Sequence, residues 1–249
     1  MRSVTDPSNV RHGLSTRHLV GELMDDPAIA PDEHRLALRG LARLNRWSFA
    51  AGPIWRAMLP MITGATGPVR VLDVACGSGD VAVAVARLAK ASGYELELTG
   101  LDLSELALEE ASKRARWEGV AFEPLRVDIL SEDVPGSFDV VMSSLFIHHL
   151  PTYEAPLVLE RMRKAAHRGV VISDLARTRA GLALAIVGAR TLTRSRIVHV
   201  DSARSVRAAL SLAEFASIAS EAGMANADIR PIWPQRLLLT WTPEREARS

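Results

Sequence analysis

Between residues 69 and 80 the chain reads VRVLDVACGSGD, an apolar run that takes in one acid, Asp73, and ends in a turn carrying Gly77 and Gly79. Such a run is expected to be a buried strand feeding a tight loop that opens a helix, where bare backbone N–H groups can approach a nucleotide-like ligand. Gly77 to Ala82 fit the G-x-G-x-x-A form of the dinucleotide fingerprint, and Asp102 follows at the spacing of an acid that binds a ribose. By itself this pattern suits a nicotinamide or flavin enzyme as well as any other. Asp73 narrows the choice. A carboxylate inside an apolar strand is costly to bury without a fixed partner, and at the mouth of the turn it suits a ligand with its own ammonium group. Asp128 closes a third strand pattern as Asp102 closes the second, so two acids are expected at one sheet edge, for a ribose and an adenine amine. No Tyr-x-x-x-Lys pair is present, since Tyr153 is followed four residues on by Leu157, which disfavours a short-chain hydride-transfer site.

A second set of candidates follows the fourth strand pattern. His148 and His149 stand just past residues 138–145, at the carboxyl edge where doubly wound sheets bind ligands. Imidazole is the side chain suited to taking a proton near neutral pH. Adjacent residues rarely face the same way, so at most one is expected to act as a base; the plainer alternative is that both are structural. His199 is a weaker third candidate. Arg46 ends a stripe of Arg35, Arg39, Arg43 and Arg46 where a helix runs out, and could reach the carboxylate of a ligand; the other three read as a solvated face. Residues 177–207 hold seven arginines against one acid, Asp201. That segment is either a solvated insert or a lid whose arginines bind an acidic or phenolate group, with Leu182, Ala185, Ile186 and Leu192 as an apolar wall. Cys76 reads as a small packing residue of the turn.

These residues need elements to hold them. Helical periodicity begins at Asp32, a second apolar helix spans about 53–62, and TGATGP marks the entry to the main domain. From Val69 strands and helices alternate. Strands are expected at 69–74, 95–102, 121–128, 138–145 and 169–174, and helices at 81–91, from Ser104 to Gly119, at 152–167 and at 182–192. The capping box SLAE, Ser211 to Glu214, starts a helix that Gly223 closes. Two last strands, 227–233 and 237–241, are separated by Pro234 and Gln235 and must form a hairpin, one of them antiparallel. The fold expected is α/β: a doubly wound, Rossmann-like, seven-stranded and mostly parallel sheet with an antiparallel terminal strand, plus N-terminal helices. Residues 1–66 would form a helical cap, 67–249 the core, and 176–210 a lid-like insert.

The motifs carry a family resemblance. VLDVACGSGD resembles the first motif of class I S-adenosylmethionine-dependent methyltransferases and GLDLS the second, while RVDIL and FDVVMSSLFIHHL are similar to the segments that close around the adenine and the reaction centre. LMDDP, ALRGLARLNRWS, VVISDLARTRAG and WPQRLLLTW are similar to bacterial small-molecule methyltransferases linked with polyketide or quinone metabolism. The resemblance implies S-adenosylmethionine as cofactor and S-adenosylhomocysteine as product. It implies that Asp73, Ala75, Gly77 and Gly79 hold the methionine end and that Asp102 accepts from both ribose hydroxyls. Leu103 would cover the adenine, Asp128 and Ile129 would meet its edge, and Ser143 and Ser144 would line the path beside the sulfonium. Asp102 and Asp128 could instead merely cap the segments that follow them.

Composition bounds the rest. A chain of 249 residues with 48% hydrophobic and 24% charged residues can bury a full core. A net charge of +1, an aromatic content of 5% and the lack of an Asn-Pro-Pro-Tyr type motif after the fourth strand disfavour nucleic acid as substrate. One cysteine excludes an internal disulfide, and spacing alone assembles no metal ligand set. The start reads as polar, without the apolar core of a signal peptide, and a cytoplasmic protein with no integral membrane segment is expected, peripheral membrane contact remaining open. Oligomeric state is not indicated. The reading is methyl transfer to a small acceptor with a phenolic end and an apolar body, most simply O-methylation of a phenolic or polyketide-derived hydroxyl. The alternatives are C-methylation of a quinol-like ring and a non-catalytic S-adenosylmethionine-binding protein.

Overall fold

The computed structural model describes residues 13–26 and 28–244. Pro27 and the polar start of residues 1–12 lie outside them. Seven strands form one sheet in the order β3-β2-β1-β4-β5-β7-β6. They are β1 Val69–Val74, β2 Leu96–Asp102, β3 Phe122–Arg126, β4 Phe138–Ser144, β5 Ala166–Leu175, β6 Asp228–Ile232 and β7 Arg236–Trp241. The first five are parallel; β7 runs antiparallel to both β5 and β6. The strand order reverses at β1, so the β1 and β4 ends form the crevice in which such sheets bind ligands.

Both faces of the sheet are covered. On one, α2 (Ala51–Ile62) and α3 (Asp80–Ala91) bring Ile54, Met58, Ile62, Val81 and Val85 against Val71, Val140 and Val171. On the other, α5 (Ala155–Ala165) and α8 (Leu212–Glu221) bring Leu159, Met162, Phe215 and Ile218 against Leu72, Val141 and Ile172. The capping box at Ser211 and Glu214 forms as its spacing predicts. Ser104 caps α4 (Glu105–Glu118), and Gly119 closes that helix in the left-handed conformation.

A further layer is built by α1 (Pro31–Trp47), α6 (Arg179–Leu192) and α7 (Arg196–Ala208), which share a small core of Ala37, Ala189 and Val198. The pattern of residues 177–207 predicts one helix where two form. The second hides its period because Asp201 and Ser205 face inward, with Val198 and Val206. Those polar groups hold residues 13–26. The Asp201 carboxylate accepts from the Leu23 and Met24 N–H groups at 2.9 and 3.0 Å, and the Ser205 hydroxyl donates to Glu22. Arg17 donates to the Ala208, His148 and Leu150 carbonyls. Leu19, Val20 and Leu23 stay about 40% exposed, so hydrogen bonds, more than apolar burial, fasten this strap.

Candidate active site

The β1 strand leaves the sheet through Ala75, whose φ of 55° is unusual for a residue with a Cβ, and continues through Gly77 at 54° and Gly79 at 64°. A Cβ on Gly77 would meet nothing within 4 Å, which leaves the backbone bare toward the crevice, whereas one on Gly79 would meet the Ala111 Cβ at 3.0 Å. The backbone at Gly77 is therefore open to a ligand, while Gly79 serves the packing of α3 on α4. Cys76 is buried against Gly100, where a Cβ would come within 2.8 Å of its sulfur. Burial, followed by the charges of Asp73 and Asp102, pushes its thiol well up, as suits a packing residue.

A cavity of about 670 Å³ opens beside this turn. Asp73, Ala75, Gly77, Asp102, Leu103, Asp128, Ile129 and Ser144 all line it. Gly79 does not line it but sets the turn. Asp102 accepts from Gly77 N–H at 2.8 Å and Ser104 N–H at 2.9 Å, so its carboxylate is aimed before any ligand arrives. Asp128 accepts from Leu130 N–H at 2.9 Å, which shapes the loop and leaves the second carboxylate oxygen to the cavity.

Asp73 is 2% exposed and its Oδ1 has no hydrogen-bond partner. Burial, then the charges of Asp80 and Asp102, drive its pKa well above the usual carboxylate range. Asp80, at the start of α3, is also raised, by burial, against the pull of Arg114 and an Asn45 amide hydrogen bond of 3.1 Å. Three carboxylates thus crowd one turn, with one oxygen wholly unsatisfied. A cation placed there would repay that arrangement, and an ammonium group fits it in charge and in hydrogen-bonding sense.

Several expected site residues stand elsewhere. Arg46 is exposed at the last turn of α1 and lines, with Arg56, Arg87 and Arg114, an open groove that shares Asn45, Asp80 and Val81 with the cavity, but it does not itself line the cavity. Ser143 is fully buried and donates to the Val74 carbonyl at 2.8 Å, tying β4 to β1; the alternation of a strand leaves only Ser144 facing the cavity, its hydroxyl unpartnered. His199 Nε2 lies 3.0 Å from the Thr193 carbonyl and does not line the cavity. Arg177 is engaged by the Glu214 carboxylate through two 2.8 Å bonds and by the Leu14 and Ala209 carbonyls, so it is an internal brace and not a free lid residue.

His148 and His149 sit in a single 3-10 turn, Ile147–His149, which brings their rings to a centroid distance of 4.3 Å instead of onto opposite faces. Burial separates them. His148 is 2% exposed, with Nδ1 2.6 Å from Asp174 Oδ1 and its backbone N–H donating to Asp174 Oδ2. Burial works against its charge, but Asp174 and then Glu22 outweigh it and raise its pKa to about 9. His149 lines the cavity. Its Nδ1 is 3.3 Å from Asp25 and its Nε2 is 3.8 Å from Glu22.

Spacing showed no metal ligand set, yet the fold assembles one: ligand atoms of Glu22, His148 and His149 lie within 4.8 Å of one another. Asp174 and Asp25 stand at the Nδ1 atoms, leaving both Nε2 atoms directed to Glu22, an arrangement that could hold a divalent ion. Glu22 carried no sequence signal, being far along the chain from the histidines. His34, Asn45, Asp25 and Phe146 also line the cavity without having been singled out. They come from the N-terminal strap, from α1 and from the loop after β4, where no motif marks them.

A methyltransferase-domain family model matches residues 71–169. The chain is 38% identical over 128 residues to the ubiquinone biosynthesis O-methyltransferase of Methylococcus capsulatus, an overlap covering 50% of this chain and 51% of that one. With the protein of the same name from Xanthomonas campestris the identity is 31% over 175 residues, covering 65% of this chain and 70% of the relative. The chain thus spans from about half to about 70% of the length of these relatives. The apo form of the S-adenosylmethionine-dependent methyltransferase SibL superposes with a TM-score of 0.61 at 22% identity, over 92% of this chain and 64% of that one. The chain belongs to the class I S-adenosylmethionine-dependent methyltransferases, and its cofactor is S-adenosylmethionine. The unsatisfied Asp73 carboxylate, the bare backbone at Gly77 and the aimed Asp102 fit that cofactor.

Proposed function

We propose that this chain methylates a hydroxyl oxygen of a small phenolic acceptor, with His149 as the base that removes the hydroxyl proton. The observation that carries this reading is the division of labour in the His148–His149 pair: His149 lines the cavity, and His148 is locked behind it.

Asp73, Ala75 and Gly77 would hold the methionine end, Asp102 the ribose, and Leu103, Asp128 and Ile129 the adenine. When bound, S-adenosylmethionine supplies an electrophilic methyl on a sulfonium. The acceptor oxygen forms the new C–O bond as the C–S bond breaks, its electron pair passing to sulfur, while the hydroxyl proton goes to His149 and then to solvent. His149 is set for this by Asp25 at Nδ1. A base of this kind contributes about a hundredfold or more, beyond what orientation and exclusion of water provide. The apolar Met24, Ile29, Leu38, Leu41, Phe146 and Leu150 on the same cavity would seat the body of the acceptor. The described residues of the N-terminal segment act as the cap over that side, and the 176–210 insert, none of whose residues lines the cavity, packs behind them through α6 and α7 against α1. No described helix is long and apolar enough to cross a membrane, and the single cysteine favours a reducing, cytoplasmic setting.

Incubation with S-adenosylmethionine and a panel of phenols, read by mass spectrometry and NMR, tests the reading. A methyl ether is the expected product. Methylation at a ring carbon would assign the alternative reaction, and cofactor binding with no methylated product from any extract would mark a binding protein.

A further inference from the structure

The charge of the cavity is one-sided. Asp25, Asp26, Asp73, Asp80, Asp102 and Asp128 line it, and among the described residues no lysine or arginine does. Four of these acids have work to do against the cofactor: Asp73 and Asp80 at the methionine end, Asp102 and Asp128 at the ribose and adenine. Asp25 and Asp26 are left over. Both belong to the strap, and Asp25 stands beside His149, with Glu22 behind it.

The arginines that sequence offered as partners for an acidic substrate are used up or turned away. Arg177 is bound by Glu214 and two carbonyls, Arg204 donates to the Gly21 carbonyl beside Asp201, and Arg207 donates to the Ala203 carbonyl. None lines the cavity. A carboxylated aromatic entering next to His149 would meet the exposed carboxylates of Asp25 and Asp26, with no lysine or arginine lining the cavity to offset them, a repulsion that salt would screen. A neutral phenol meets no such opposition. Its negative charge arises only as its proton passes to His149, so the pair of acceptor and base carries no net charge until the methyl is transferred.

We propose that Asp25 and Asp26 are specificity-determining residues that restrict the acceptor to molecules carrying no negative charge, admitting a neutral phenol and excluding its carboxylated counterpart. The proposal rests on the reading of the His149 side of the cavity as the acceptor side.

The test uses 4-methylcatechol and 3,4-dihydroxybenzoate, which differ by a methyl in place of a carboxylate, with the full chain, S-adenosylmethionine and a chelator to keep adventitious cations out of the Glu22–His148–His149 cluster. Methylcatechol is expected to have the higher kcat/KM by about tenfold or more. Because a carboxylate also loses through plain desolvation, the decisive quantity is how that ratio moves. It should fall at least threefold in Asp25→Asn and in Asp26→Asn, and should shrink as salt is raised. A ratio unmoved in both variants, or a benzoate used as well as the catechol by the wild type, would overturn the charge proposal while leaving methyl transfer standing. Turnover of neither compound, with the chelator or with excess magnesium in its place, by a protein that still binds S-adenosylhomocysteine would overturn the O-methylation reading and this proposal with it.

Discussion

His148 Nδ1 lies 2.6 Å from Asp174 Oδ1, both side chains being 3% exposed, while its neighbour His149 opens onto the cavity at 23% exposure. Two chemically identical residues adjacent in sequence are thereby given different tasks. His148 links the end of β5 to the strap through Asp174 on one ring nitrogen and Glu22, 3.7 Å away, on the other.

The two histidines should therefore separate under mutation. His149→Ala is expected to lower kcat by about a hundredfold with the dissociation constant for S-adenosylhomocysteine within about twofold of wild type. His148→Ala is expected to lower stability by about 3 kcal/mol, because it strands the Asp174 carboxylate in the interior. Steady-state kinetics and urea denaturation of both variants read this out. Equal losses of turnover with unchanged stability would remove the distinction.

Stability should fall through mildly alkaline pH. The His148 pKa is raised from 6.5 to about 9 in the folded state. The raised value means that the folded protein binds the proton more tightly, so the contribution is fully present below pH 6.5 and is lost as pH rises through 9. For a buried group a shift of this size is on the order of 3 kcal/mol. Denaturation midpoints between pH 6 and 10 should show the decline in wild type and a flatter profile in His148→Gln.

Asp73→Asn should have effects of opposite sign on folding and on binding. The buried carboxylate has an unsatisfied oxygen and two like charges nearby, so the neutral amide should raise the stability of the free protein by about 1 kcal/mol. The same change removes the charge that an ammonium group would meet, and the affinity for S-adenosylmethionine should fall by about tenfold or more. Thermal melts without cofactor and calorimetric titration with it give the two numbers. A destabilised free protein would contradict the unpaired state of this carboxylate.

The two glycines of the turn should differ in the same way. Gly79→Ala places a Cβ 3.0 Å from Ala111 at a φ of 64°, and is expected to cost about 2 kcal/mol or more of stability. Gly77→Ala meets open space, so its cost to folding is the strain of the positive φ alone, about 1 kcal/mol. Its larger effect should be on cofactor affinity, through the methyl group projected toward the ligand. Comparing melting temperature with affinity for each variant checks the assignment.

Which parts of this protein were legible from sequence follows from how local their causes are. Strand period, the glycine turn with its positive φ values, the Ser104 cap and the Ser211–Glu214 capping box each depend on a few neighbouring residues, so seven strands in a doubly wound sheet and the Asp73, Asp102 and Asp128 positions could be read off the chain. The α7 helix escaped because its buried face carries Asp201 and Ser205, whose partners lie in the strap. Glu22, Asp25 and His34 had no local signature, since each matters only where the strap and α1 cross the carboxyl edge of the sheet. Arg177 illustrates the converse: its type and place in an arginine-rich segment suggested ligand binding, and a Glu214 partner gave it other surroundings. Sequence by itself determined the cofactor class, through one contiguous turn with Asp73 and Gly77, the end of β2 at Asp102 and the loop after β3 at Asp128, all of which meet at one cavity. Only the tertiary structure decided which histidine opens onto the cavity and what charge surrounds it, because burial and long-range contacts, absent from any local pattern, set both.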